Sequence, residues 1–185
     1  MNRADINRLL VEAKRAINHS DYVIIGSLSV LGAVAQPPES MIQSIDVDLY
    51  PKNDPGRASE VADALGQKSA FSKEFRYYAD AVFPKLAALP DGWEDRLIKI
   101  EFDSGVTAWF LDPNDAAVSK YVRSENRDRR WIRAGLQEKI LSLPTIEYRL
   151  RETSEARMEA GERQRAKDAI AEDKQWLNTQ PRRTP

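Results

Sequence analysis

The chain contains no cysteine, which excludes disulfides and thiolate metal sites. It has one histidine, His19, which without a histidine partner is a poor metal or catalytic candidate. A position near a helix C-terminus accounts for that residue. No apolar run approaches the length of a membrane span, and the N-terminus is polar instead of signal-like, so the expectation is a cytoplasmic protein with no membrane partner. An excess of either charge is lacking too: 28 Lys and Arg against 29 Asp and Glu leave a net charge of -1. That balance predicts no broad electrostatic grip on nucleic acid and leaves only local basic patches. There is no internal repeat and no low-complexity segment. The 185 residues suffice for one domain with a substantial core.

What is present concentrates in two short stretches. In Ser44-Ile45-Asp46-Val47-Asp48-Leu49-Tyr50, aliphatic residues alternate with Asp46, Asp48 and Tyr50. Side chains of a strand alternate between faces, so Ile45, Val47 and Leu49 are expected to face a core and both carboxylates to project from the other side. Two neighbouring acids repel each other, and a divalent cation is the usual reason to keep them together. Upstream, Tyr22 to Ile25 reads as a strand running through Gly26-Ser27 into a helix from Leu28 to Ala35. Such a junction offers backbone N–H groups and a helix N-terminus to a phosphate, with Ser27 as helix cap or phosphate ligand. Phosphate cradle plus metal-binding acids reads as nucleotide chemistry.

Ile25-Gly26-Ser27 followed by the Asp46-x-Asp48 strand resembles the signature of the nucleotidyltransferase β superfamily, the minimal nucleotidyltransferases among them. The segments Asn53 to Ala58, Phe75 to Tyr78, Leu89 to Trp93 and Leu111 to Lys120 are similar to an uncharacterised bacterial branch related to abortive-infection toxins. The resemblance covers roughly residues 1 to 140. It implies Gly26 and Ser27 at the nucleotide phosphates, Asp46 and Asp48 on metal, and a third carboxylate on a later strand, for which Glu101 is the candidate. It further implies that Lys120 and Asp128 complete the active site from the helical part, with Lys120 and Arg123 on the triphosphate. Mg²⁺, in two ions, would be the cofactor, and an NTP the substrate.

The rest of the chain sets the expected architecture: an α/β (α+β) nucleotidyltransferase core with a mixed sheet, helices packed on it and a C-terminal helical section. A helix over residues 4–18 carries Ile6, Leu9, Leu10, Ala13 and Ile17 on one stripe. Asp54-Pro55 opens another helix, and a strand-like stretch follows from about Phe75 to Val82. Leu97 to Phe102 and Val106 to Leu111 flank Asp103-Ser104-Gly105 as a hairpin. The pattern turns helical from about Asp112, with a second helix from roughly Arg127 to Leu141. Residues 1–143 are therefore expected to form the transferase-like domain, and 144–185 a charged arm. From Thr145 to Asn178 the sequence is dense in Glu, Arg and Lys with sparse apolar positions, the pattern of one long projecting helix.

The functional expectation is transfer of a nucleoside monophosphate from an NTP to an acceptor hydroxyl. The toxin relationship implies RNA, a tRNA end among the choices, as acceptor. It also implies a role in a toxin-antitoxin pair or phage defence, with the arm binding an antitoxin or a second copy of the chain. Two rivals stand beside it: a non-catalytic nucleotide- or partner-binding regulator or antitoxin of the same fold, and a transferase acting on a small molecule.

Overall fold

The computed structural model describes residues 1–83 and 88–180; the last five positions of the expected arm lie outside them. At its centre is a five-stranded mixed sheet in the order β3-β2-β1-β5-β4. The strands are β1 (Asp21–Ile24), β2 (Asp46–Pro51), β3 (Tyr78–Ala81), β4 (Ile98–Glu101) and β5 (Thr107–Phe110). β1 runs antiparallel to β2 and parallel to β5, β2 runs parallel to β3, and β4 and β5 form the expected antiparallel hairpin.

Alternation along the strands gives the sheet two covered faces. Tyr22, Ile24, Val47, Leu49, Ala108 and Phe110 point to one, where α1 (Arg3–Ile17), α3 (Ala58–Leu65) and α4 (Ala70–Phe75) pack. The α1 stripe is the one read from the sequence: Ile6, Leu9, Leu10, Ala13 and Ile17 are all buried. Asn2 caps this helix in a reciprocal box with Asp5. Val23 and Tyr50 point to the other face. There α5 (Pro113–Arg123), α6 (Asn126–Gln137), α7 (Leu143–Arg151) and α8 (Glu162–Thr179) share one apolar cluster with them.

Several local expectations change. Ile45 precedes β2 and is 56 % exposed, so it does not join Val47 and Leu49 in the core. The helix after Gly26 is short: a 3-10 turn over Ser27–Ser29 leads into α2 (Val30–Ala33). The segment from Phe75 divides into the end of α4 and β3, with Arg76 in the left-handed region between them. Asp54 makes no side-chain cap.

The tail differs most. It is two helices, not one, and they pack back on the fold instead of projecting. Ile146, Leu150, Ala166, Ala169 and Ile170 are buried in the cluster that also holds Val118, Tyr121 and Val122 of α5. The acidic and basic residues that thin its apolar stripe are partly turned inward. Asp173 is fully buried and accepts hydrogen bonds from Tyr121, Arg129 and Arg133. Among the described residues, no helix is long and apolar enough to cross a membrane.

Candidate active site

The site begins with a steric requirement at the end of β1. Gly26 has φ +69° and ψ -154°, a conformation essentially closed to other residues. A Cβ there would lie 1.8 Å from Asp48 Oδ2. The glycine thus lets the Asp48 carboxylate rest against the backbone turn, and the Ile25 N–H bond to the Asp48 carbonyl (3.0 Å) holds the two segments together. The Ser29 hydroxyl donates to the Gly26 carbonyl at 2.8 Å, fixing the turn from the other side.

Asp46, Asp48 and Asp80 gather at this turn, with ligand oxygens all within 4.8 Å of one another. Asp46 and Asp48 share a face of β2, and the parallel register sets Asp80 of β3 directly beside Asp48. Burial first, then repulsion from Asp46 and Asp80, pushes Asp48 up to about 7, against the pull of Lys120 and Arg123. Asp80 is raised as well, by burial and by Asp46. Close-set hard oxygens under mutual repulsion suit a divalent cation, which relieves the repulsion.

The helical part supplies the opposite wall. The Lys120 ammonium is buried, donates to Ser27 Oγ at 2.9 Å and Asp128 Oδ1 at 3.0 Å, and stands 4.9 Å from the centre of the Trp131 ring. Ser27 therefore acts as a hydrogen-bond partner of Lys120 and makes no cap with its side chain. Burial lowers the Lys120 pKa, opposed by Asp128. Arg123 holds both Asp128 oxygens, at 2.8 and 2.6 Å. Burial disfavours the Asp128 carboxylate, but Arg123 and Lys120 outweigh it and hold the pKa below the usual range. Asp128 is buried and fully engaged by these cations. Trp131 Nε1 donates to the carbonyls of Ser27 and Met41, locking α6 to the Gly26 turn.

Two clefts meet at the acids. The larger, about 600 Å³, is lined by Gly26, Asp48, Ser119, Lys120 and Arg123, by apolar Val82, Leu89 and Leu111, and by residues of the α7–α8 connection. The smaller, about 280 Å³, is lined by Ser27, Ser44, Asp46, Arg127, Arg130 and Trp131.

Of the residues singled out in the sequence, Gly26, Ser27, Asp46, Asp48, Lys120, Arg123 and Asp128 thus converge from four separate segments. Glu101 does not join them. It lies on the edge strand β4, separated from β2 by β5 and β1, with its exposed carboxylate paired to Lys99. The third acid beside Asp46 and Asp48 is Asp80. Its signal was the alternation Tyr78-Ala79-Asp80-Ala81, but only parallel pairing of β3 with β2 brings it to Asp48.

Neither a curated protein nor a solved structure matches the chain. A family model does, over residues 4–180, a span that runs from α1 through both C-terminal helices. With nearly the whole fold inside that match, the chain belongs to the family described as a nucleotidyltransferase of unknown function, DUF6036.

Proposed function

We propose that the chain is a Mg²⁺-dependent nucleotidyltransferase that moves a nucleoside monophosphate from an NTP to an acceptor hydroxyl. The observation that carries this reading is the three-carboxylate cluster Asp46, Asp48 and Asp80, whose central member Asp48 rests against the Gly26 turn and lines one cleft with Lys120 and Arg123. These carboxylates would hold the metal, two ions in the full reaction, and bound Mg²⁺ supplies charge neutralisation for the attacking and leaving oxygens.

The remaining chemistry belongs to the chain. Backbone N–H groups at the Gly26-Ser27 turn receive phosphate oxygens, as free donors at the start of a helical turn do. Lys120, held by Asp128, and Arg123, half exposed on the cleft, stabilise the negative charge that builds on the departing pyrophosphate. Asp80, the most exposed of the three acids, takes the proton of the acceptor hydroxyl as its oxygen bonds to the α-phosphorus and the bond to pyrophosphate breaks. Asp80 also weakens the case for a non-catalytic regulator, because it completes a set of three carboxylates able to hold a metal ion.

The smaller cleft is assigned to the acceptor. Arg127 and Arg130 line it beside Asp46, and Arg130 makes no ion pair among the described residues, which favours an acceptor carrying phosphate, such as an RNA end. A toxin role, with an antitoxin as partner, is consistent with that acceptor. The test is incubation with each α-labelled NTP and Mg²⁺ in the presence of total RNA, protein and small acceptors. Label on RNA that disappears in Asp48→Asn is the expected result. Label on a small molecule would replace the acceptor assignment, and no label anywhere would leave a nucleotide- or partner-binding module of the same fold.

A further inference from the structure

The α7–α8 connection is the part of the larger cleft that the phosphate chemistry leaves unused. Lys120, Arg123 and the Gly26 turn account for a triphosphate, so the uncharged base of the same nucleotide must rest on the remaining lining. That lining is apolar on one side, with Val82, Leu89 and Leu111, and is closed on the other by residues 156–159 and Glu162.

The connection is fixed in place. Arg157 donates to the Leu89 carbonyl at 2.8 Å and stands 3.8 Å from the Asp91 carboxylate, while the Asp91 N–H donates to the Glu152 carbonyl at 3.1 Å. Met158 is half-buried, packs on the core and faces the cleft. Its flexible thioether suits the face of an aromatic ring. The neighbouring Glu159 also lines the cleft, and its carboxylate has no hydrogen-bond or ion-pair partner among the described residues. Glu162 is engaged by comparison: it accepts from the Glu159 N–H at 2.7 Å and stands 3.9 Å from Arg165.

We propose that residues 156–162 form the nucleobase wall of the NTP site, with Met158 under the ring and Glu159 selecting bases that carry an exocyclic amino group. The proposal rests on the transferase reading above and adds its substrate preference. A carboxylate accepts hydrogen bonds and donates none, so it suits the amino groups of guanine, adenine and cytosine and is repelled by the carbonyl oxygens of uracil. Guanine fits best, because its ring N–H and amino group offer two parallel donors to one carboxylate.

The test is calorimetry of the full chain with Mg²⁺ and each of GTP, ATP, CTP, UTP and inorganic tripolyphosphate. Wild type should prefer the amino-bearing nucleotides to UTP. Glu159→Ala should narrow that preference by about tenfold for GTP, the loss expected for hydrogen bonds to a charged group. Removing a negative charge strengthens binding of every polyphosphate alike, an effect that cancels in the GTP-to-UTP ratio, so a change in that ratio reads the lost base contact alone. Met158→Ala should weaken all four nucleotides severalfold and leave tripolyphosphate unchanged. Nucleotide affinities or a ratio unmoved by these variants would overturn the base wall alone, while the transferase reading stood. A wild-type chain that binds neither NTP nor tripolyphosphate would overturn both.

Discussion

The two faces of the sheet hold themselves together by different means. Under α1, α3 and α4 the buried residues are aliphatic and aromatic, with no buried charge among the described residues. Under α5 to α8 an equally apolar cluster is threaded by Asp115, Lys120, Asp128 and Asp173, all buried. Each of these has partners: Arg96 and Arg149 for Asp115, Arg123 and Lys120 for Asp128, and Tyr121, Arg129 and Arg133 for Asp173. Buried ion pairs seldom stabilise a fold more than apolar residues of the same size would. Their presence on one face only marks that face as the one shaped for charge. The first face is scaffold. The second brings cations up to the acids of β2 and β3.

The comparison breaks most visibly if the second face loses its outer helices. A chain ending at Ser142 keeps α5 and α6 but uncovers Val118, Tyr121 and Val122, strands the partners of Asp173 and takes Arg149 away from Asp115. Its cooperative thermal transition should disappear or fall by more than about 10 °C, since a loss of a few kcal/mol already moves a domain of this size by that much. A melting temperature within about 2 °C of the full chain would return the tail to the status of an appended arm.

Within the site the two roles of charge separate. Asp48→Asn should lower transfer by about a thousandfold or more, the scale of losing a group that acts on the reacting centre. Without Mg²⁺ the same variant should melt a few degrees higher, because it removes a charge crowded by Asp46 and Asp80. Activity at the wild-type level, or a lowered melting temperature in metal-free buffer, would show that Asp48 serves the fold instead.

Comparing one residue from each face sharpens the contrast. Leu9→Ala removes apolar volume from the scaffold and should cost about 2–5 kcal/mol. Asp173→Ala leaves Arg129, Arg133 and the Tyr121 hydroxyl without their shared acceptor, and should cost a similar 3–5 kcal/mol or so. Denaturant titrations measure both. The informative part is Tyr121→Phe added to Asp173→Ala, which should recover part of the loss by removing a stranded donor. No recovery would mean that the arginines, not the hydroxyl, set the cost.

Legibility in the sequence followed the same division. The α1 stripe, the β4–β5 hairpin and the Gly26 and Asp46-x-Asp48 segments declare themselves through period and local turn chemistry, which a short window contains. Lys120, Arg123 and Asp128 were found by their likeness to a family pattern, and the structure gives the physical reason for their company: one buried carboxylate shared by two cations. Asp80 was missed because its meaning depends on which strand lies beside β2, a long-range fact that no window carries. Glu101 fits the third acid that the resemblance implies, since it too alternates outward on a strand, but sheet order puts that strand at the far edge. The tail was misjudged because charge density was equated with solvent exposure. Asp173 lies 44 positions from Arg129 and 40 from Arg133, and their pairing, invisible in sequence, turns charge into packing.

The smallest expected effect concerns pH and tests whether the ionic face behaves as one unit. Arg123 and Lys120 depress the Asp128 pKa below its unfolded value, overcoming burial. The folded state therefore favours the carboxylate, and this contribution is present above the unfolded pKa near 4 and lost as pH falls through the folded value. Asp48, Asp80 and Asp115 are shifted the other way, burial being the first cause in each, so their protonation relieves the fold over part of the same range. Acid stability of the wild type alone thus mixes opposing terms. The difference between wild type and Asp128→Asn separates them, because the other three acids remain in both chains. That difference in unfolding free energy should be largest near pH 7, hold to about pH 5, and shrink steadily below pH 4. Leu9→Ala, on the face without buried charge, should show a difference from wild type that stays flat across the same range. A pH-independent Asp128→Asn difference would mean that Lys120 and Arg123 gain nothing from the charge on Asp128, and that its hydrogen bonds alone hold the two cations over the cleft.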